Sequence, residues 1–145
     1  MRISFLHTLG AILAGAFLSG SGLALAQKAS MDASNVACGV RIRVPNYPTI
    51  ARAAHITGTA TAVITVAADG HPARVELTGA HPLLKTAVEK ELRTSEFSRA
   101  CFEKHVRLIF EFVIAGEPSE HPESSIAFVP PNRFVVTTPP GIPMP

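Results

Sequence analysis

TATAVITVAADGHPARVELT, residues 59–78, holds two alternating runs on either side of Asp69-Gly70. In the first, Ala60, Ala62, Ile64 and Val66 point one way and Thr59, Thr61 and Thr65 the other. In the second, Ala73, Val75 and Leu77 alternate with Arg74, Glu76 and Thr78. Successive side chains of a strand lie on opposite faces of a sheet, so each run predicts a strand with one apolar face. Asp-Gly tolerates the positive φ that a tight turn requires, and the stretch as a whole predicts a β-hairpin. Pro72 opens the return strand, where a missing N–H is tolerated on a sheet edge.

Working outward, Val40 to Val44 alternates apolar with charged residues and is stopped by Pro45. Pro48 can occupy the first turn of a helix, where its missing N–H costs nothing. Ile50, Ala51 and Ala54 would share one face of that short helix, and Gly58 can follow its end. Beyond the hairpin the period becomes helical from Pro82 to about Ser95. Leu84, Ala87, Val88 and Leu92 form the apolar stripe, and Lys85, Glu89 and Arg93 are spaced four apart as opposite charges on the outer face. Phe97 is placed to close the helix against the core. His105 to Ile114 then alternates over a full strand, with Val106, Leu108, Phe110, Phe112 and Ile114 on one side. The stretch from Gly116 to Pro145 carries eight of the twelve prolines. Within it Ser125–Val129 and Arg133–Thr137 predict two short strands around Pro130-Pro131-Asn132, and the last eight residues are expected to lack regular structure. The fold class is α+β: an antiparallel three-stranded sheet, open to extension by N- and C-terminal strands, with two helices on one face. It occupies residues 38–116 and is followed by a Pro-rich tail, 117–145.

The first 26 residues are read separately. Arg2 precedes an apolar stretch from Ile3 to Leu25, and Ala24-Leu25-Ala26 before Gln27 has the small residues of a secretory processing site. A signal peptide cut between Ala26 and Gln27 is the expected outcome; the alternative is an uncleaved anchor, since the stretch is nearly long enough to span a bilayer. Gln27 to Ala37 is a polar leader. Without the signal peptide about 119 residues remain, enough for one domain with a modest core. The formal net charge of +2 falls close to zero when Arg2 is lost. That balance, with no basic cluster, gives no footprint for nucleic acid or an anionic membrane. Membrane contact is expected only if the N-terminal segment is retained. Cys38 and Cys101 are the two cysteines of a chain that reads as exported, and oxidising compartments favour their pairing.

Catalytic patterns are missing. His55, His71, His81, His105 and His121 show no H-x3-H spacing, and no C-x2-C pair accompanies them, so neither a metal nor another cofactor is expected. Three of these histidines precede proline and read as exposed turn residues. Cys101 and His105 would lie about 13 Å apart along an extended segment, beyond hydrogen-bond reach. Phosphate loops and a G-x-S-x-G elbow are absent, and nothing predicts an enzyme.

The ordered set Tyr47-Pro48, Ala51, Ile56, Gly58, an alternating strand into Asp69-Gly70, Val75, Gly79 and Pro82-Leu83-Leu84 with a helix behind it resembles the C-terminal domain of the TonB family. The resemblance covers residues 44–114. It implies a small α/β domain whose closing strand is a sheet edge that accepts an extended segment of an outer-membrane transporter by strand addition. Carried onto this chain, the docking strand is His105, Val106, Arg107, Leu108, Ile109, Phe110, Glu111 and Phe112. The implied partner is an outer-membrane transporter or another envelope protein, and the implied location is the periplasm. Two features depart from a full energy transducer: the N-terminus reads as cleavable and the long Pro-rich spacer is missing. Retention of the N-terminus would instead give a protein anchored in the inner membrane and facing the periplasm. A disulfide-stapled envelope protein that forms a homodimer through the same edge is a further alternative. The tail strands follow the docking strand directly and can fold back onto it, either as simple protection of the edge or as a competitor that a partner displaces. The exported protein is expected to show an intact mass beginning at Gln27, whereas a mass that includes Met1 to Ala26 would mark a retained anchor.

Overall fold

A computed structural model describes residues 38–142. The expected processing site at Ala26 and Gln27 and the leader up to Ala37 lie outside the described residues. The chain runs through β1 (Gly39–Arg41), α1 (Thr49–Ala53), β2 (Gly58–Val66), β3 (Pro72–Gly79), α2 (Pro82–Leu92), β4 (Glu96–Phe97), β5 (His105–Ile114), β6 (Ser125–Val129) and β7 (Arg133–Thr138). The main sheet has five strands in the order β3-β2-β5-β7-β6, and β1 with β4 forms a separate two-stranded ladder.

The hairpin of β2 and β3 forms as the alternation dictates, antiparallel from Ala60↔Gly79 to Val66↔Pro72, with a register shift beside the turn. Asp69 Oδ1 accepts the His71 N–H at 2.9 Å, and the Gly70 N–H returns to the Ala67 carbonyl at 3.0 Å. Gly70 has φ +89°, and a Cβ there would sit 2.5 Å from the Phe97 carbonyl oxygen. Only glycine fits both the dihedral and that contact.

Helix α1 ends differently from expectation. His55, not Gly58, takes the left-handed position, at φ 54°. Its N–H bonds the Arg52 carbonyl at 2.9 Å and the Ile56 N–H bonds that of Ala51 at 2.8 Å, the paired bonds of a Schellman motif. Ile56 packs against the core, and its carbonyl accepts the Tyr47 hydroxyl at 2.5 Å. Burial pushes the Tyr47 phenol above its ordinary range, so it stays a donor. The Tyr47 ring then meets Phe112 edge to face at 5.5 Å. In α2, His81 is the N-cap: its ring nitrogen Nδ1 accepts the Leu83 N–H at 3.3 Å, and Pro82 occupies the first helical position. The helix ends at Leu92, short of Ser95, because Ser95 turns inward. Its buried hydroxyl donates to the Glu91 carbonyl and accepts the Arg43 N–H at 2.9 Å. On the outer face the four-apart pair Glu89–Arg93 forms.

Leu84, Val88 and Leu92 of α2, with Ala51 of α1, pack on one face of the sheet against Ala60, Ala62, Ile64 and Val66 of β2 and Val106, Leu108, Phe110 and Phe112 of β5. The antiparallel trio β3-β2-β5 matches expectation, and the extension comes from the tail alone. The N-terminal strand is shorter than predicted and pairs with Glu96–Phe97 instead. Thr138 ends a strand and Gly141 bridges Ser119, so regular structure also reaches into the last eight residues. Cys38 and Cys101 are bonded, with Cα atoms 5.8 Å apart and both side chains buried. The bond ties the start of the domain to the turn before β5 across 63 residues of sequence. The Ser98 N–H adds a bond to the Cys38 carbonyl at 2.7 Å. Closing such a loop lowers the entropy of the unfolded chain by an amount worth about 4 kcal/mol. Urea unfolding with and without reductant is expected to show a loss approaching that figure, and an unchanged midpoint would refute it.

Candidate docking edges of the sheet

Of the eight residues expected in the docking strand, Val106, Leu108, Phe110 and Phe112 turn into the core. His105, Arg107, Ile109 and Glu111 lie on the opposite face, as the alternation requires. One side of this strand is taken by β2, antiparallel from Gly58↔Phe112 to Thr65↔His105. On the other side the tail has folded back. Strand β7 lies parallel to β5 from Ile109↔Arg133 to Ile114↔Thr138, so β5 is an interior strand over that length and an open edge only from His105 to Leu108.

Several contacts hold β7 in place. Phe134 stacks on Phe110 at 5.5 Å and 17°, and Val136 is fully buried. Asn132, itself buried, receives the Ile109 N–H on its carbonyl at 2.9 Å and donates Nδ2 to the Arg107 carbonyl at 3.2 Å. Its side chain thereby continues the ladder one step past the end of β7. Arg133 reaches Glu111 at 3.4 Å, but both groups are well exposed, and such a pair adds well under about 1 kcal/mol. His105, at the open end, places Nδ1 3.2 Å from Thr65 Oγ1 on the neighbouring strand.

The outer edges of the sheet are therefore β3 and β6, and they differ. β3 begins with Pro72, which lacks an N–H, carries the exposed pair Arg74–Glu76 at 2.8 Å and adjoins the register shift in β2. Proline, charge and irregular pairing are the means by which natural sheets block further strands. β6 has none of these within Ser125–Val129. All five residues are exposed, none is charged, and Ile126, Phe128 and Val129 leave 46%, 44% and 42% of their surfaces to solvent.

Hydrogen-bond parity shows what β6 presents. The bonds from Ile109 N–H to Asn132 and from Ala115 N–H to Thr138 bracket the parallel ladder. In such a ladder alternate residues face a given neighbour, so Asn132, Phe134, Val136 and Thr138 turn their backbone groups to β5. Arg133, Val135 and Thr137 turn theirs to β6, where they oppose Val129, Ala127 and Ser125. The N–H and C=O of Ile126 and Phe128 are thus directed outward. Sequence reasoning found both tail strands but not this edge, although the uncharged run SIAFV was visible.

No group of three or more His, Cys, Asp or Glu among the described residues could hold a metal ion, and no helix among them is long and apolar enough to cross a membrane. Replacing Asn132 by alanine is expected to cost about 1 kcal/mol, concentrated at the start of the β5–β7 ladder. Amide exchange of Ile109 should quicken about fivefold, measurable by NMR, with the amides of β2 unchanged.

The family model described as Gram-negative bacterial TonB protein C-terminal matches residues 43–114. No curated protein and no solved structure matches the chain significantly. Domains of that family are protein-interaction modules of the bacterial envelope in TonB-type transport and are not enzymes. The match contains β2 to β5 and both helices, and it stops before β6 and β7.

Proposed function

Since residues 43–114 are a TonB C-terminal family domain, we propose that this protein is an exported periplasmic binding module that takes up an extended segment of an outer-membrane transporter, or of another envelope protein, as an added strand along β6. The observation that carries the reading is the contrast between the two outer edges: β3 is blocked by proline and charge, whereas β6 offers the backbone groups of Ile126 and Phe128 beside uncharged side chains. Main-chain bonds to those two residues would supply affinity, and alternate side chains of the guest would pack over Ile126 and Phe128. A guest with apolar residues at alternate positions fits that face best. The tail in this reading is an adaptor that has moved the accepting edge two strands outward from β5.

A second reading keeps the docking strand at His105 to Phe112, with a partner displacing the tail hairpin. It is favoured by one feature: no strand pairs with His105 to Leu108 on that side, where only the Asn132 side chain caps the Arg107 carbonyl, so they could receive the first residues of an incoming strand. Against it stands the burial of Val136 and the stacking of Phe134, both of which displacement would undo.

Titration of the ¹⁵N-labelled protein with extended transporter-derived peptides separates the two. Docking on β6 is expected to shift and protect the amides of Ile126 and Phe128 while Ile109 stays protected. Docking on β5 would release the Arg133–Thr138 amides from their native environment. Peptide binding that perturbs neither strand would refute strand addition.

A further inference from the structure

We infer that two copies of this chain pair through β6, antiparallel about a two-fold axis at Ala127, to form a continuous ten-stranded sheet. The inference rests on the reading of β6 as the accepting edge, and it names a second copy as the occupant of that edge when no partner is present.

The β6 edge is self-complementary. A two-fold interface must match itself, so every outward group needs its complement at the symmetric position. With the axis at Ala127, Ile126 of one copy faces Phe128 of the other, and Ser125 faces Val129. The outward N–H and C=O groups of β6 belong to Ile126 and Phe128, which flank Ala127 at equal distance. Each Ile126–Phe128 couple exchanges two N–H···O bonds, and the two couples together use every outward group of Ile126 and Phe128 in both copies. Ala127 meets its own counterpart at a non-hydrogen-bonded position, where strands approach most closely, and its methyl group permits that approach.

The side chains agree with this register. Phe110, Phe134 and Phe128 form a row across β5, β7 and β6 on the helix-bearing face, with centroids 5.5 Å and 5.1 Å apart. The row runs from full burial at Phe110 to 44% exposure at Phe128, where the sheet stops. Pairing continues it into Ile126 of the second copy and covers both exposed side chains. No charge lies within Ser125–Val129, so no like charges meet at the seam. The nearest tail charge on the neighbouring strand, Arg133, faces Glu111 of its own chain. The β3 edge suits such pairing less well, because it begins with Pro72 and its exposed Arg74 and Glu76 are already paired within the chain.

Self-pairing and partner docking use the same two residues and exclude one another. Dimerisation would keep an uncharged edge from aggregating and would set a concentration below which the edge is free for a guest.

The exported, disulfide-bonded protein is the object to test. Sedimentation velocity over a hundredfold range of concentration is expected to show a rise from monomer towards dimer. I126K, an exposed position whose change leaves the core intact, should hold the protein at monomer. Mild oxidation of A127C should give a covalent dimer, because facing residues at the axis bring their Cβ atoms within about 5 Å. S125C is the control for disulfide exchange with Cys38 and Cys101, and it should crosslink at most one-tenth as much, since its facing residue is Val129. A strictly monomeric protein overturns the inference, as does a dimer that survives I126K or one in which S125C and A127C crosslink equally. Peptide titration of the I126K-free protein at monomeric concentration reads the docking proposal separately, so either idea can fail alone.

Discussion

The pairing of β2 with β5 is the constraint on which the rest of the structure depends. Along their shared core face the residues oppose each other as Gly58 to Phe112, Ala60 to Phe110, Ala62 to Leu108 and Ile64 to Val106. Small residues on one strand leave room for large ones on the other, so the layer keeps an even thickness beneath the helices. Both phenylalanines are buried completely or nearly so because their neighbours have almost no side chain. Close packing of this kind penalises changes of volume in either direction. A register slip of one residue would turn the Phe side chains to solvent and the threonines inward.

Every other element is placed by reference to that pair. The hairpin adds β3 on one side, α2 closes over the alanines, and α1 is oriented by Tyr47, whose ring meets Phe112 while its hydroxyl holds the Ile56 carbonyl. The segment before α1 would otherwise be attached weakly, through a two-residue ladder and an exposed ion pair of Arg41 with Glu96. The disulfide from Cys38 to Cys101 and the buried Ser95 hydroxyl anchor it to the main body.

The tail changes which edge the domain exposes without changing its core. A sheet edge must be paired, covered or guarded, and here the β5 edge is paired over most of its length by a strand of the same chain. Intramolecular pairing needs only loop closure, whose entropy cost rises slowly with loop length. The outcome is to cover β5 from Ile109 to Ile114 and to leave β6, bearing Ile126 and Phe128, as the outer edge.

Sequence by itself determined the local structure: the period-two runs of β2, β3 and β5, the Asp69-Gly70 turn, the stripe of α2, the two tail strands and the pairing of the two cysteines. These are legible because each depends on residues within a few positions of one another, or, for the cysteines, on there being just two. The family resemblance was carried by the same residues. Tertiary structure alone decided that His55 and not Gly58 caps α1, that β1 pairs with β4, and that β7 enters beside β5 in parallel. A strand shows the same alternation whichever neighbour it takes and in whichever direction, so pairing partners are not written in the local pattern. They follow from which buried surfaces fit together, here Phe134 on Phe110 and Asn132 on the Arg107 and Ile109 backbone. The identity of the open edge, and with it the candidate site, was set at that level.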